Sequence, residues 1–288
     1  MNNLSKKRIG KRELVSLLER CSEKDKLVLE SLSTYRYLLT SQVQRLYFRD
    51  ELNKLTALKR TNRCLRKLAD WGLITTLKRR IGGVRAGSSS YVWTLTIAGA
   101  KLRYLLNSPE SKSSGRKDKA TLRGYYEPSP YFLQHTLAVA EVSIRLTELA
   151  AKGKIGISAR QTEPSCWRNY VNHGGTVSTL RPDLFAVTTD MDSDYEDHWF
   201  FEVDLATESP AVVVRKCLQY LSYLRSGEEQ RSCGVFPRVV WIVPTTKRKG
   251  SLSSHIAEAL VDDAVLFTVI TLDELEPLVI NEANNDSE

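Results

Sequence analysis

The stretch FFEVDLATESPAVVVRKCLQYLSYL, residues 200–224, joins an apolar run to the start of a helix. Glu202 and Asp204 stand two residues apart in the apolar run, so a strand would place both side chains on one face. The Ser-Pro pair at 209–210 supplies an N-cap and a first helical residue. A carboxylate in an apolar strand is costly without a compensating partner. The partner of these acids, whether a lysine, a metal ion or water, therefore decides what the site does.

The segments around this stretch alternate between helical and strand patterns. Residues 128–153 have helical spacing, residues 179–189 alternate as a strand, and PRVVWIVPTT from Pro237 is typical of a buried strand. This order predicts an α/β domain at 128–280, followed by an acidic tail at 281–288.

The two predicted strands that flank an acidic turn add a third carboxylate, Asp183, to Glu202 and Asp204. If the turn is centred near residues 193–194, Asp183 faces Asp204, and Glu202 lies one pleat further on the same side. Three carboxylates that close repel one another unless a cation neutralises them, and all-oxygen ligands suit Mg²⁺ or Mn²⁺. The alternative has Asp183 capping a strand, Glu202 paired with Lys216 on the next helix, and Asp204 in water.

Charge divides the chain into two unlike halves. Residues 1–123 hold 28 Lys and Arg against 10 Asp and Glu, a net charge of +18, whereas residues 124–288 hold 14 against 24, a net charge of −10, which together give the overall +8. This asymmetry indicates a front half that binds nucleic acid and a back half with another task.

The front half has the pattern of a winged helix-turn-helix over residues 24–106. Three helical segments precede two strand patterns around a Gly- and Arg-bearing tip. The residues of the third helix predicted to face the core are Leu55, Leu58, Cys64, Leu65 and Leu68. The third helix would enter the major groove and the hairpin would touch the backbone or minor groove; a protein-binding role is the alternative. The predicted DNA contacts are Lys59, Arg60, Arg63, Arg66, Lys67, Lys78, Arg79, Arg80 and Arg85.

Composition assigns the remaining segments and the compartment. Residues 1–23 form a basic N-terminal segment, and residues 107–127, rich in Ser, Lys and Gly, are the predicted linker. The five cysteines are scattered without a C-x-x-C pair, which indicates reduced thiols. No apolar run reaches membrane-spanning length, so we expect a cytoplasmic protein without a signal peptide, an anchor or a membrane partner.

The motifs RPD at 181–183 and FFEVDLATES at 200–209, with KCLQY at 216–220, resemble the PD-(D/E)XK nuclease core. With the winged helix and linker, they resemble the replication-relaxation family and conjugative relaxases related to restriction endonucleases, over residues from about 25 to 275. The resemblance implies two domains of α/β and α+β class, in which the second has a mixed sheet flanked by helices.

The resemblance also implies roles for individual residues. Asp183, Glu202 and Asp204 would bind Mg²⁺ or Mn²⁺, which activates the nucleophile and neutralises the scissile phosphate. Asp204 occupies the position where the family pattern has lysine, so Lys216 on the following helix would replace it. The neighbouring and accessory candidates are Gln219, Tyr220, Glu141 and His135.

These features predict a DNA-binding protein of a plasmid or other mobile element that nicks duplex DNA at an origin of transfer or replication. Its partners would be double-stranded DNA, the single-stranded product, relaxosome or coupling proteins, and a second copy in a homodimer. The alternative is a non-catalytic DNA-binding regulator or relaxosome accessory protein in which the nuclease-like domain is a scaffold.

Overall fold

A computed structural model of the chain describes residues 9–49, 53–78, 90–107, 127–191 and 195–285. The chain forms two compact units, residues 1–140 and 141–288. The division falls inside helix α6 (Pro130–Ala151), so the second unit starts thirteen residues after the predicted domain start at 128. The predicted linker lies largely outside the described residues, as do Arg79, Arg80 and Arg85 of the predicted hairpin.

The first unit combines helices with a small antiparallel sheet. The sheet has the strand order β1-β3-β2, and β3 pairs with both neighbours. The elements, in chain order, are α1 (Lys11–Arg20), α2 (Glu23–Tyr35), β1 (Leu38–Leu39), α3 (Thr40–Tyr47), α4 (Lys54–Asp70), β2 (Ile74–Thr76), β3 (Val92–Leu95) and α5 (Ile97–Asn107).

Helix α1 lies in the segment expected to be only a basic N-terminal extension. Leu14 and Leu17, one turn apart, are buried on one face of this helix. Helix α2 begins at a capping box in which Ser22 and Asp25 exchange hydrogen bonds. Helix α4 ends at Asp70, and Gly72 adopts the left-handed φ of +70° that stops it.

The inward face of α4 differs from the prediction. Leu55 is 70% exposed and Leu58 is 40% exposed, so neither faces the core. In its first two turns the helix instead buries the smaller residues Ala57 and Thr61. The Thr61 hydroxyl donates to the Ala57 carbonyl at 2.8 Å. Leu55 and Leu58 therefore share the solvent-facing side with the basic side chains, whereas Cys64, Leu65 and Leu68 are buried as predicted.

The second unit is built on a mixed five-stranded sheet with the order β10-β9-β8-β7-β4. Strand β7 runs antiparallel to β4 and β8, whereas β8, β9 and β10 run parallel. A separate antiparallel pair, β5 and β6, lies between β4 and β7 in the chain. The strands are β4 (Gly156–Thr162), β5 (Arg168–Val171), β6 (Val177–Leu180), β7 (Leu184–Thr189), β8 (Glu196–Val203), β9 (Arg238–Val243) and β10 (Phe267–Thr271).

Helices of the second unit cover the sheet and form its core. Val213, Cys217 and Tyr220 of α7 (Pro210–Ser226) pack with Phe200 of β8. Leu252 of α9 (Thr246–Leu260) joins the same cluster. Strand β8 is buried on both faces over its last five residues, as expected of a central strand. The helices after β8 are α7 (Pro210–Ser226), α8 (Glu228–Cys233), α9 (Thr246–Leu260) and α10 (Leu275–Asn285), with short 3-10 helices at Val261–Leu266 and Leu272–Glu274.

Candidate functional site

Asp183 and Glu202 lie side by side at the end of the β7–β8 hairpin that is distant from its turn. Leu184 pairs with Phe201 in the antiparallel register, which brings Asp183 level with Glu202. Asp183 Oδ2 accepts a hydrogen bond of 2.8 Å from the backbone N–H of Val203. Both carboxylates are buried. The prediction that Asp183 faces Asp204 is therefore wrong, because the true register is shifted by two residues.

The Glu202 carboxylate is held by two side chains of α7. Lys216 Nζ donates to Oε2 at 2.5 Å, and Tyr220 Oη donates to Oε1 at 2.5 Å. Lys216 and Tyr220 are four residues apart and therefore lie on the same face of the helix. The pairing of Glu202 with Lys216 is therefore confirmed, whereas the expectation that Asp204 lies in water is wrong, because Asp204 is buried.

Burial sets the proton affinity of the groups around Glu202. Burial raises the pKa of Glu202 to about 8 against the opposing attraction of Lys216, and the charge of Asp183 adds to the increase. Burial disfavours the ammonium form of Lys216, but the carboxylates of Glu202 and Asp183 outweigh it and raise the lysine pKa. Burial and then Glu202 raise the pKa of Tyr220 well above its usual range. Lys216 therefore stays charged, and Tyr220 stays a neutral hydrogen-bond donor.

Asp204 belongs to a different ion pair. Arg248 Nε, from the first turn of α9, donates to Asp204 Oδ2 at 2.6 Å, and both side chains are largely or wholly buried. Asp204 Oδ1 accepts from the backbone N–H of Ala206 at 2.8 Å, and Arg248 Nη2 donates to the Glu208 carbonyl at 2.8 Å. Asp204 and Arg248 thus fasten the loop between β8 and α7.

The predicted three-carboxylate metal site is not formed. Within the part of the chain that the structure describes, no group of three His, Cys, Asp or Glu side chains is placed to hold a metal ion. Asp204 is paired with Arg248, and no local pattern in the sequence identifies that arginine as its partner. The acids that do come together are Asp183 and Glu202, with Lys216 beside them.

The other candidates, Gln219, Glu141 and His135, have contacts of their own. The side chain of Gln219 is exposed on α7, and its backbone carbonyl accepts a 3.5 Å hydrogen bond from Tyr170 Oη. Glu141 accepts from Arg145 Nε, one turn along α6, at 3.3 Å. His135 belongs to the first unit, where its ring lies 6.3 Å from that of Tyr131.

The exposed side of α4 carries most of the described candidates for DNA contact. The side chains of Lys59, Arg60, Arg63 and Arg66 are exposed there, and Lys78 is exposed just after β2. Lys67 differs, because its ammonium group pairs with the buried Asp25 carboxylate at 2.5 Å.

Comparison with protein families gives one match. A family described as replication-relaxation matches residues 29–239 of this chain. The chain belongs to the replication-relaxation family. No curated protein and no solved structure matches it significantly.

Membership in the replication-relaxation family suggests a role in the replication or mobilisation of a plasmid or other mobile element. The matched residues include α4 and the acids Asp183 and Glu202 together with Lys216, and end within β9, before Arg248. Among the described helices, none has the length and apolarity needed to span a membrane.

Replacing Lys67 by alanine should destabilise the first unit of this family member more than it weakens DNA binding. We expect a loss of about 1–2 kcal/mol in the free energy of unfolding, below the 3–5 kcal/mol of a fully buried pair, because Lys67 is 37% exposed and water screens it. Burial opposes ionisation of Asp25, but hydrogen bonds from Lys67 and Ser22 outweigh it and lower the Asp25 pKa.

The contribution of Asp25 is present above its unfolded-state pKa of about 3.9 and is lost as the pH falls through the lower folded-state value. Urea unfolding at pH 7 and pH 3 would measure both effects. Arg66→Ala, on the same helix and exposed, is the matched control and should leave stability unchanged. An equal stability loss in both variants would contradict the assignment of Lys67 to the fold.

Proposed function

We propose that the protein binds duplex DNA through its first unit and, with Asp183, Glu202 and Lys216 of its second unit, nicks DNA at an origin of transfer or replication in a metal-dependent reaction. The observation that carries this proposal is the meeting of two buried carboxylates and one lysine at the end of the β7–β8 hairpin. Two acids and a lysine are the functional groups that hydrolysis of a phosphodiester by a metal nuclease requires.

The order of elements in the first unit supports DNA binding. Helix α2, strand β1, helices α3 and α4, and strands β2 and β3 follow one another as in a winged helix, and β1 joins the same antiparallel sheet. In that arrangement α4 would be the helix that enters the major groove. Its exposed face presents Arg63 and Arg66, which have the fork of donors that fits phosphate oxygens and guanine edges.

The order of elements in the second unit supports the nuclease-like core. Helix α6, strands β4, β7 and β8, helix α7 and strand β9 follow in the order expected of a PD-(D/E)XK domain, with the mixed pairing directions given above. Asp183 stands just before the second strand of this core and Glu202 near the end of the third. Lys216 reaches the acids from the following helix.

The acids present fit a metal held by two carboxylates. Mg²⁺ commonly binds one or two carboxylates and completes its shell with water and substrate phosphate, so Asp183 and Glu202 would hold it without Asp204. When bound, Mg²⁺ or Mn²⁺ would supply an activated water or hydroxyl and neutralise charge on the phosphate.

The remaining contacts define what the chain's own groups contribute. The Val203 N–H fixes the Asp183 carboxylate, and the Tyr220 hydroxyl fixes Glu202 Oε1. Lys216 keeps its positive charge beside Glu202 and would stabilise negative charge that develops on the scissile phosphate. Since the pKa of Tyr220 is raised, we assign that residue to positioning and not to attack on phosphorus.

A non-catalytic DNA-binding or relaxosome accessory role is the second candidate. The observation that favours it is that the chain's own cations already neutralise two of the three predicted acids: Lys216 pairs with Glu202 and Arg248 with Asp204. In that role the second unit would bind DNA, a coupling protein or a second copy without cleaving.

Nicking of supercoiled plasmid that carries the element's own origin tests the proposal. We expect open-circular product with Mg²⁺ or Mn²⁺ and none with EDTA, and no product from a plasmid that lacks the origin. Absence of cleavage in both metals, together with absence of metal binding by calorimetry, would favour the accessory role.

DNA binding by the full chain should depend strongly on salt and on Arg63. Affinity for origin duplex should fall by about a hundredfold or more between 50 and 200 mM salt as condensed counterions are released. Arg63→Ala should reduce the preference for origin over unrelated duplex by about 5- to 150-fold, the range for one lost bidentate base contact. Lys78→Ala should weaken both duplexes alike and reduce the salt slope by about 1. Fluorescence anisotropy would measure these effects, and salt-independent affinity would contradict the assignment.

A further inference from the structure

The β5–β6 hairpin has one anchored face and one open face. On the anchored face, Arg168 Nε donates to the buried Glu229 carboxylate at 3.0 Å, and its guanidinium lies 4.7 Å from the ring centroid of Phe185. Tyr170 on the same face packs against Tyr223 with ring centroids 5.1 Å apart. The hairpin is therefore fixed to the core of the second unit, and its outer side chains are held in place before any ligand arrives.

The open face presents an aromatic ring beside a cation. Arg168 pairs with Leu180 in the hairpin register, so Trp167 and Arg181 stand opposite each other at the base of the two strands. The Arg181 guanidinium lies 4.7 Å from the Trp167 ring centroid, and the indole Nε1 donates to Glu163 Oε1 at 3.3 Å. Trp167 is 36% exposed. Within the described part of the chain, Arg181 forms no ion pair with an acid.

Local charge makes this face suitable for a polyanion. The second half of the chain is acidic overall, but residues 164–182 contain no Asp or Glu, and the flanking Glu163 accepts the hydrogen bond from the Trp167 indole. Val177, which is 73% exposed, extends the open face toward the hairpin turn with an uncharged side chain. Arg181 also precedes the proposed catalytic Asp183 by two residues, so the Trp167–Arg181 pair lies next to that acid in the chain.

We propose that Trp167 and Arg181 form a binding platform for single-stranded DNA, in which one base stacks on the exposed part of the indole and the guanidinium binds an adjacent phosphate. Aromatic rings next to cationic groups are the elements with which proteins hold single strands. In a duplex the base faces are already stacked on neighbouring bases, so the platform selects unpaired DNA. Its placement beside Asp183 rests on the proposed nicking function, whereas the binding does not require cleavage.

Binding of a fluorescent oligothymidylate to full-length variants in EDTA tests the platform. Trp167→Ala should weaken single-strand binding by about 5- to 150-fold, the range for one lost base–aromatic stack, whereas Trp167→Phe should stay within about threefold of the wild type. Arg181→Gln should weaken binding and lower its dependence on salt. Affinity for duplex DNA should not change in any of these variants. Val265→Ser, which removes an exposed apolar side chain elsewhere in the unit, is the surface control.

Three results would overturn the platform: wild-type affinity in Trp167→Ala, an equal loss in Trp167→Phe, or an equal loss for duplex and single-stranded DNA. Melting temperatures of the variants identify any loss that comes from unfolding. The experiment measures binding and not cleavage, so its result tests the platform independently of the nicking proposal. If the wild type does not nick DNA but Trp167→Ala weakens single-strand binding, the platform proposal stands and the nicking proposal fails. If the wild type nicks DNA but Trp167→Ala binds single strands normally, only the platform proposal fails.

Discussion

Asp183→Asn and Glu202→Gln should each reduce nicking of supercoiled origin DNA by about 10³-fold or more, a loss of at least about 4 kcal/mol of transition-state stabilisation. Each amide keeps the size of the acid and an oxygen that accepts hydrogen bonds, from the Val203 N–H in one variant and the Tyr220 hydroxyl in the other. Each change removes the negative charge that a divalent metal needs, and Glu202→Gln also leaves Lys216 without its anionic partner. Duplex affinity should stay within about twofold, because the proposed recognition helix α4 belongs to the other unit.

The matched control for these variants is Glu258→Gln, which removes an exposed acid on α9 and should nick at the wild-type rate. A second measurement does not depend on activity. Mg²⁺ should raise the melting temperature of the wild type, because a ligand of the folded state stabilises it, and should raise that of Asp183→Asn much less. Equal nicking, or an equal melting response, in the wild type and Asp183→Asn would exclude the two-carboxylate site.

Local patterns predict the strands and the helix that carry this site, but not their register. The apolar run of β8 and the Ser-Pro start of α7 lie where the sequence places them. Alternation assigns Asp183 and Glu202 to one face of the hairpin, because it has a period of two. A shift by two residues preserves that pattern, so the side-chain pattern does not distinguish Glu202 from Asp204 as the neighbour of Asp183.

The predicted core residues in the first turns of α4 are wrong because of residue size. The sequence pattern favoured the large apolar side chains of Leu55 and Leu58 for the core, whereas the helix buries Ala57 and Thr61 at these turns. Small residues allow a helix to approach its neighbours closely, and a hydrophobicity pattern gives them little weight. The β5–β6 hairpin was missed for a related reason: it is short, and its open face mixes polar, aromatic and apolar side chains, which weakens the alternation that predicts a strand.

Contacts between residues distant in sequence leave no local pattern. Arg248 meets Asp204 across 44 positions, and nothing in the segment TTKRKG distinguishes Arg248 from Lys247 or Lys249. Sequence reasoning therefore identified the acids and left the choice of partner open between a metal, a lysine and water. The fold supplies a fourth partner for Asp204, an arginine from α9.

Arg248→Met should lower the free energy of unfolding by about 3–5 kcal/mol, because it leaves the buried Asp204 carboxylate without its cation. Asp204→Asn should also destabilise, but the double variant should recover part of the loss, since neither charge then remains buried. Lys249→Met is the matched control: its partner Glu274 lies on the surface, where an ion pair contributes about 0–1 kcal/mol. Urea unfolding of the four variants and the wild type would measure the coupling.

The same variants decide between a structural and a metal-binding Asp204. If Arg248 and Asp204 fasten the loop that leads into α7, Asp204→Asn loses stability but keeps the melting response to Mg²⁺, and any nicking it retains still requires Asp183. If Asp204 were a metal ligand, Asp204→Asn would lose the Mg²⁺ response, and the stabilities of the single and double variants would be additive. Arg248 has its side chain between Asp204 and the Glu208 carbonyl, so its loss frees both ends of the loop. Arg248 lies outside the matched family region, and we expect it to hold the loop that leads into α7, the helix that carries Lys216.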